Sequence, residues 1–127
     1  MGTEGVAVLV VDDDAVLAET IELTLQHYGY RVRATSDARM ALDLARDFMP
    51  DLILCDTIMP GQTGAEVVSS LKAETTTAHI PVILMTSGAR TFQEIPCAGF
   101  LAKPFLPNEL KAAVEKAARM RVQSGGT

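Results

Sequence analysis

The sequence predicts an α/β fold, a three-layer, doubly wound architecture built on a five-stranded parallel sheet. Two observations lead to this fold class. Five short apolar runs alternate with stretches in which apolar residues recur every three or four positions, the pattern of strands alternating with amphipathic helices. A chain of 127 residues fits one such domain. We expect the domain to span residues 6–121, between an N-terminal tail at 1–5 and a C-terminal tail at 122–127.

The apolar runs are the predicted strands. Aliphatic and β-branched residues dominate them, and turn-forming or polar residues bound them, as expected for strands that are covered on both faces. Arginines at alternate positions in the second run, Arg31 and Arg33, predict a strand at the edge of the sheet. The five runs cover residues 6–11, 30–34, 51–55, 80–85 and 99–102.

Helices are predicted in the intervals between strands and after the last strand. Asp14 is expected to cap the first helix at its N-terminus, and Gly29 to end it. Pro50 is expected to stop the second helix, and Pro107 to begin the last one. The interval 89–96 shows no clear apolar stripe, so the fourth helix of the series (helix 4) is expected to be shortened, irregular or absent.

The composition disfavours several classes of partner. Apolar residues make up 48% of the chain and charged residues 21%, and the net charge is −5 without a block of lysine or arginine. Direct binding to nucleic acid or to an anionic membrane is therefore not expected. Neither a membrane span nor a signal peptide is indicated, because no apolar run approaches the roughly 20 residues of a span and the N-terminus has no signal-peptide pattern.

The two cysteines indicate the location. Cys55 and Cys97 form no metal-binding spacing, so we expect a reducing, cytoplasmic location.

Polar residues stand at the ends of four of the five predicted strands. Asp12 and Asp13 follow the first strand, and Asp56 follows the third. Thr86 and Lys103 follow the fourth and the fifth. Because parallel strands point the same way, these side chains should gather at one edge, where open α/β sheets bind ligands. Each alone has an ordinary structural interpretation as a loop or surface residue, but together they predict a site.

The charges of this predicted site favour a cation and a phosphoryl group. Two carboxylates about 4 Å apart repel by about 1 kcal/mol in water and about 4 kcal/mol at an effective dielectric constant of about 20, so three of them need a cation. Oxygen ligands without histidine or cysteine suit Mg²⁺ better than Zn²⁺. A carboxylate can attack phosphorus, and Asp56, in the central strand, is the best candidate nucleophile. Lys103 and Thr86 are placed to bind phosphoryl oxygens.

With these residues in view, the sequence resembles a response-regulator receiver domain, the phosphoacceptor module of two-component signalling. The resemblance covers about residues 6–121, and its pieces are weak singly but specific together. These pieces are Val10-Val11-Asp12-Asp13-Asp14, Asp56-Thr57-Ile58-Met59-Pro60 with Gly64, Thr86-Ser87, and Phe100-Leu101-Ala102-Lys103-Pro104-Phe105. The resemblance implies a flavodoxin-like sheet with the strand order 2-1-3-4-5.

The resemblance also implies a phosphoacceptor and a metal site. Asp56 would accept a phosphoryl group from the phosphohistidine of a histidine kinase or phosphotransfer protein. Asp12 and Asp13 would hold Mg²⁺ together with Asp56, and the backbone carbonyl of Ile58 would be a further ligand. The chain would not be an enzyme in the ordinary sense, because it would promote only its own phosphorylation and dephosphorylation.

The resemblance further implies a conformational switch that links phosphorylation to signal output. Thr86 and Lys103 would contact the phosphoryl group, and Phe100 takes the aromatic switch position, where the family often has tyrosine. The 17 positions from Thr86 to Lys103 (103 − 86) are fewer than the family's usual spacing by a little more than one helical turn. The surface around the shortened fourth helix, where family members usually carry output contacts, is therefore expected to differ.

Two other functions remain open from the sequence. A phosphorylation-independent protein-binding module would account for the expected shortening of helix 4 and for the lack of a recognisable output domain after residue 121. That same lack argues against direct control of transcription by this chain. A phosphatase acting through Asp56 is the weaker alternative, because a haloacid-dehalogenase-type hydrolase needs a second Asp two residues later, where Ile58 stands. The sequence identifies neither the output protein nor the oligomeric state.

Overall fold

The computed structural model describes residues 5–87 and 97–125 of the chain. Within them, helices flank a five-stranded sheet, and two further strands form a separate small sheet. The strands are β1 (Ala7–Val11), β2 (Arg31–Thr35), β3 (Leu52–Asp56), β4 (Ile58–Met59), β5 (Gln62–Thr63), β6 (Val82–Ser87) and β7 (Gly99–Lys103). The helices are α1 (Ala15–His27), α2 (Ala41–Phe48, preceded by a 3₁₀ turn at Ala38–Met40), α3 (Gly64–Lys72) and α4 (Pro107–Gly125).

The large sheet has the order β2-β1-β3-β6-β7, and all of its strand pairs are parallel. This confirms the predicted order 2-1-3-4-5 once the small hairpin is left out of the numbering. β2 lies at an edge, as its arginines predicted. Every residue of β1 and β3 is buried, because neighbouring strands cover their sides and helices cover both faces.

The sheet separates two hydrophobic cores. The period of two along a strand sends Val8 and Leu54 to the core shared with α1 and α4. The same period sends Leu9 and Ile53 to the opposite core, which α2 and α3 cover. Cys55 lies fully buried in that second core and packs there as an apolar side chain.

Local signals begin and end α1 where the sequence predicts. The Asp14 side chain accepts hydrogen bonds from the backbone N–H groups of Val16 and Leu17, both at 3.1 Å. These bonds satisfy two of the N–H groups that have no partner inside a helix. Gly29 follows the helix with φ of +97°, a left-handed conformation that favours glycine.

A short hairpin, which the sequence pattern does not predict, lies between β3 and α3. Its strands β4 and β5 are antiparallel, and the chain reverses at Gly61, which has φ of +81°. The hairpin leads directly into α3. There Thr63 and Glu66 form a reciprocal capping box, in which each side chain accepts a hydrogen bond from the other residue's backbone N–H.

One prediction about the fold stays a prediction. The shortened helix 4 was predicted for the interval 89–96, between β6 and β7, and residues 88–96 lie outside the described residues, so the structure does not test it. The last helix does begin at Pro107, as predicted. Among the described residues, no helix combines the length and apolar character that crossing a membrane requires.

Candidate functional site

The carboxyl ends of the parallel strands bring the predicted site residues to one edge of the sheet. The strand order reverses between β1 and β3, and the crevice at such a reversal is where open α/β sheets bind ligands. Asp12 and Asp13 follow β1 directly, and Asp56 is the last residue of β3. Thr86 lies near the end of β6, and Lys103 is the last residue of β7.

Three carboxylates form the acidic centre of this edge. Carboxylate oxygens of Asp12, Asp13 and Asp56 all lie within 4.8 Å of one another. Asp12 is 0% exposed and Asp56 is 6% exposed, whereas Asp13 is open to solvent. The backbone N–H of Asp14 donates to Asp12 Oδ1 at 2.9 Å and holds that carboxylate in place. An all-oxygen set with one side open to water fits Mg²⁺, which prefers carboxylates and keeps several of its waters.

The Lys103 ammonium lies between two of these acids. Its Nζ is 2.6 Å from Asp12 Oδ2 and 3.4 Å from Asp56 Oδ1, and its side chain is 16% exposed. Burial alone would lower the pKa of Lys103, but the hydrogen bond to Asp12 and the charges of Asp12 and Asp56 outweigh burial and raise that pKa. Lys103 is therefore a fully charged group, paired more closely with Asp12 than with Asp56.

The environment of Asp56 raises its pKa above that of a carboxyl group in water. Burial is the largest cause and the charge of Asp12 the second, and together they raise the pKa of Asp56 from 3.8 to about 6 despite the opposing effect of Lys103. A hydrogen bond with Asp13 acts in the same direction as burial. Because only an ionised carboxylate attacks phosphorus well, a further cation near these acids would make Asp56 a better nucleophile.

Thr86 reaches the same edge from the other side of Asp56. In the sheet register, Asp56 pairs with Met85, the residue just before Thr86. Thr86 itself pairs with Ala102, the residue just before Lys103, and is 7% exposed. The structure thus brings Thr86 to the strand ends that carry Asp56 and Lys103, and its proposed phosphoryl contact stays a prediction.

Two further predicted residues lie outside the acidic centre. Ile58 stands two residues beyond Asp56 in β4, with 58% of its surface exposed. Phe100 pairs with Leu84 near the start of the β6–β7 pairing and is 44% exposed. The metal-ligand role of the Ile58 carbonyl and the switch role of Phe100 stay predictions.

Gly64 has a positioning role that its place in the sequence motif does not reveal. A Cβ atom built at Gly64 would lie 2.6 Å from the Asp56 backbone oxygen and 2.9 Å from Leu84 Cδ2. The Gly64 N–H also donates to the Thr57 carbonyl at 2.8 Å. Only a glycine permits this approach of α3 to the end of β3. The signal in the sequence was the glycine that accompanies the motif at residues 56–60, and a glycine there indicates a turn but not a close contact.

Fold and site together define a class of protein, the doubly wound α/β modules that present a carboxylate cluster and a lysine at the carboxyl edge of the sheet. Residues 8–115 match the family model of the response regulator receiver domain. Since the match covers most of the 127 residues, this chain belongs to the response regulator receiver family. It is therefore a phosphoacceptor signalling module of the two-component type, a family that typically binds Mg²⁺ and forms an aspartyl phosphate.

Similar proteins agree with this assignment. The DNA-binding response regulator MtrA of Mycobacterium tuberculosis is 35% identical over 126 residues, which cover 95% of this chain and 53% of that protein. The phosphate regulon transcriptional regulatory protein PhoB of Pseudomonas aeruginosa is 32% identical over 120 residues, covering 91% of this chain and 52% of that protein. The chain thus spans about half the length of these curated relatives.

Solved structures show the same fold along most of both chains. A putative response regulator from Chloroflexus aurantiacus superposes with a TM-score of 0.82 at 30% identity, covering 89% of this chain and 97% of the other. The chemotaxis response regulator CheY4 of Vibrio cholerae superposes with a TM-score of 0.80 at 28% identity, covering 88% and 98%. Both the sheet order and the helix layers described above are therefore those of receiver domains.

Proposed function

We propose that Asp56 is the phosphoryl acceptor of this receiver domain and that phosphorylation changes its conformation to control a partner. The observation that supports this most is the convergence of two further carboxylates and the Lys103 ammonium on Asp56. Asp56 is the member of the cluster that ends the central strand. The Lys103 ammonium lies 2.6 Å from Asp12 but 3.4 Å from Asp56, so the Asp56 carboxylate is the less tightly paired of these two buried acids.

The proposed step is a direct transfer. An Asp56 carboxylate oxygen attacks the phosphorus of a phosphohistidine, forming an O–P bond as the P–N bond breaks. The bonding pair returns to the imidazole nitrogen, and the imidazole leaves neutral when its other nitrogen carries a proton. An aspartyl phosphate remains. Attack of water on its phosphorus later releases inorganic phosphate and restores the carboxylate, so the chain promotes only its own phosphorylation and dephosphorylation.

The neighbouring groups are assigned to binding the phosphoryl oxygens and the metal ion. Lys103 binds one phosphoryl oxygen, and the Thr86 hydroxyl donates a hydrogen bond to another. Asp12, Asp13 and the acceptor, with the backbone carbonyl of Ile58, hold Mg²⁺. When bound, Mg²⁺ supplies the positive charge that offsets the crowded carboxylates and the phosphoryl oxygens.

The sheet register supports a link from Thr86 to Phe100. Thr86 and Leu84 lie two positions apart in β6 and therefore point to the same face of the sheet. Phe100 pairs with Leu84, so it lies on that face too, next to Thr86 on the diagonal. Movement of Thr86 toward a phosphoryl group changes the space beside Phe100, whose exposed ring can then turn inward.

The test is phosphorylation by a small donor. Incubation of the full chain with Mg²⁺ and acetyl phosphate should add one phosphoryl group by intact mass, and Asp56→Asn should abolish the adduct. Asp51→Asn is the matched control, since Asp51 also adjoins a strand end but at the opposite edge of the sheet, and it should leave the adduct intact. No adduct on the wild-type chain, or an adduct that survives Asp56→Asn, would refute the assignment.

The expected partners follow from the family. The donor is a histidine kinase or phosphotransfer protein, and the receiver acts on an output protein, in the cytoplasm. MtrA is called DNA-binding, but this chain matches only about half of that protein and carries a net charge of −5, so nucleic-acid binding is not assigned to it. We place the receiver domain at residues 6–121, with residues 1–5 and 122–127 as tails.

The alternative functions receive less support. A phosphorylation-independent binding module has no need for a buried acid paired with a lysine at 2.6 Å, and no comparison favours it. A phosphatase of the haloacid-dehalogenase type would need a proton donor two residues after the nucleophile, but that position holds the apolar, largely exposed Ile58.

A further inference from the structure

Thr57, the residue after the proposed acceptor, makes a contact that the proposed chemistry leaves unexplained. Its side chain is buried, and its Oγ1 donates to the backbone carbonyl of Met85 at 3.1 Å. Its own backbone N–H donates to the same oxygen, also at 3.1 Å. One carbonyl of β6 therefore accepts two hydrogen bonds from a single residue at the end of β3.

This carbonyl adjoins Thr86. The Met85 oxygen belongs to the peptide group that also contains the Thr86 nitrogen, and a peptide group is planar. Fixing the carbonyl therefore fixes the direction in which the chain enters Thr86. Asp56 pairs with Met85 in the register. The two hydrogen bonds from Thr57 therefore link the end of β3, next to Asp56, to the end of β6, next to Thr86.

Folding alone does not require the Thr57 hydroxyl. The Met85 carbonyl is already satisfied by the backbone N–H of Thr57, and valine would fill the same volume. A buried position with apolar neighbours ordinarily favours the residue without a polar group, because a buried hydroxyl must recover its lost hydration. The hydroxyl adds a second restraint on the peptide group between Met85 and Thr86, next to the side chain proposed to contact the transferred phosphoryl group.

We infer that the Thr57 hydroxyl is a positioning group, which holds the end of β6, and with it Thr86, at the correct place relative to Asp56. The inference rests on the proposed phosphoacceptor function and extends it to a residue that contacts neither metal nor phosphoryl group. It acts through the peptide between Met85 and Thr86. Because a misplacement of about 1 Å can cost about 100-fold in rate, the loss of one restraint should cost roughly tenfold.

The experiment separates positioning from binding. The full-length wild type, Thr57→Val and Thr57→Ala are phosphorylated with Mg²⁺ and varied acetyl phosphate, and the adduct is followed by intact mass. Both variants should lower the maximal rate roughly tenfold, while the acetyl phosphate and Mg²⁺ concentrations for half-maximal rate stay within about twofold of wild type. Thr57→Ser keeps the hydroxyl and should return the maximal rate to within about threefold of wild type.

Thr77→Val is the matched control. Thr77 is 0% exposed, and its Oγ1 donates to the Leu71 carbonyl at 2.6 Å, so the same kind of buried bond is lost beyond the C-terminal end of α3. Its thermal midpoint should fall at least as much as that of Thr57→Val, but its phosphorylation rate should not change.

The possible failures are distinct. Thr57→Val and Thr57→Ala reacting at the wild-type maximal rate would overturn the inference, and so would an equal loss of rate in Thr77→Val. Failure of Thr57→Ser to recover the rate would overturn it as well, because the hydroxyl would then not be the group that matters. A wild-type chain that gains no phosphoryl group on Asp56 would instead refute the proposed function, and the inference with it.

Discussion

The two edges of the sheet use polar side chains in opposite ways. At the carboxyl edge, three carboxylates lie within 4.8 Å of one another, and the Lys103 ammonium contacts two of them. At the amino edge, Asp51 pairs with the backbone of the neighbouring strand. The Ala7 N–H donates to Asp51 Oδ2 at 2.8 Å, and the Asp51 N–H donates to the Ala7 carbonyl at 2.7 Å.

This difference separates groups that stabilise the fold from groups that serve chemistry. A carboxylate that accepts a backbone hydrogen bond satisfies a donor at the start of a strand. Carboxylates that face each other repel, and burial raises the pKa of Asp56 to about 6, so the folded state binds its proton unusually tightly. The carboxyl edge should therefore show large and opposite effects of substitution, and the amino edge small ones.

The largest effect is expected for Lys103→Met. The substitution leaves Asp12, which is 0% exposed, beside two other acids without its ammonium partner. We expect the free energy of unfolding of the metal-free protein to fall by about 3 kcal/mol at neutral pH, as measured by urea denaturation. Phosphorylation by acetyl phosphate should also slow strongly.

Lys111→Met is the control for Lys103→Met. The Lys111 ammonium lies 4.9 Å from the centre of the Tyr28 ring on the surface of α4, so its loss should cost less than about 1 kcal/mol. Equal losses in the two variants would show that the carboxyl edge does not differ from an ordinary surface.

The next effect has the opposite sign. Asp56→Asn is expected to raise the free energy of unfolding of the metal-free protein at about pH 7.5 by up to about 2 kcal/mol. The pKa of Asp56 is raised from 3.8 to about 6, mainly by burial and then by Asp12. The stability that its bound proton contributes is fully present below about pH 4 and is lost as the pH rises through 6. Asparagine carries no charge at any pH, so it avoids this loss.

Urea denaturation in EDTA from about pH 4 to 7.5 tests the sign. The stability difference between Asp56→Asn and the wild type should grow with pH across this range and be small at its acid end. A stability difference that is constant with pH, or a variant that is less stable than the wild type at about pH 7.5, would contradict the conclusion that burial and repulsion from Asp12 destabilise the ionised Asp56 carboxylate.

At the amino edge, Asp51→Ala should have a smaller effect. Without the carboxylate, the Ala7 N–H at the start of β1 loses its acceptor, which should cost about 1 kcal/mol in urea denaturation. Asp51→Asn retains a side-chain oxygen and should lose less. Phosphorylation of Asp56 should be unchanged in both variants, and a strong loss of phosphorylation would mean that the two edges are coupled.

The smallest effect is expected for Tyr30→Phe, the exception at the amino edge. The Tyr30 hydroxyl is buried without a hydrogen-bond partner in the part of the chain that the structure describes. Its removal should be neutral or stabilise the protein by up to about 1 kcal/mol at neutral pH, because no bond is lost. Thermal denaturation of the two proteins at equal concentration measures this difference.

Alkaline pH sharpens the Tyr30 prediction. Burial raises the pKa of Tyr30 from 10.0 to about 12, and the charge of Glu115 adds to the effect. The stability that its bound proton contributes is therefore present below pH 10 and is lost between about pH 10 and 12. Over this range the free energy of unfolding of the wild type should fall relative to that of Tyr30→Phe. A phenolate absorbance that titrates near pH 10 for every tyrosine would contradict this.

Much of the fold was predictable because its signals are local. The cap at Asp14, the left-handed turn at Gly29 and the start of the last helix at Pro107 each depend on one residue and its immediate neighbours. The hairpin around Gly61 was missed, since two-residue strands are too short to show a period of two.

The candidate site was predictable in composition but not in its contacts. Parallel strand direction alone sends Asp12, Asp56 and Lys103 to one edge, so their convergence follows from the order of elements. The close approach at Gly64 and the second hydrogen bond from Thr57 were not predictable, because both depend on packing between elements that the residue pattern does not specify.

The sequence by itself therefore determined the alternation of strands and helices, the acceptor strand and the set of charged residues around Asp56, and its resemblance to a family implied the strand order. Only the tertiary structure decided which charges pair. Lys103 lies 91 positions from Asp12 in the chain, yet its ammonium is 2.6 Å from Asp12 and 3.4 Å from Asp56. Differences of less than an ångström between such partners arise from the register and twist of the assembled sheet, which bring together residues that share no local signal.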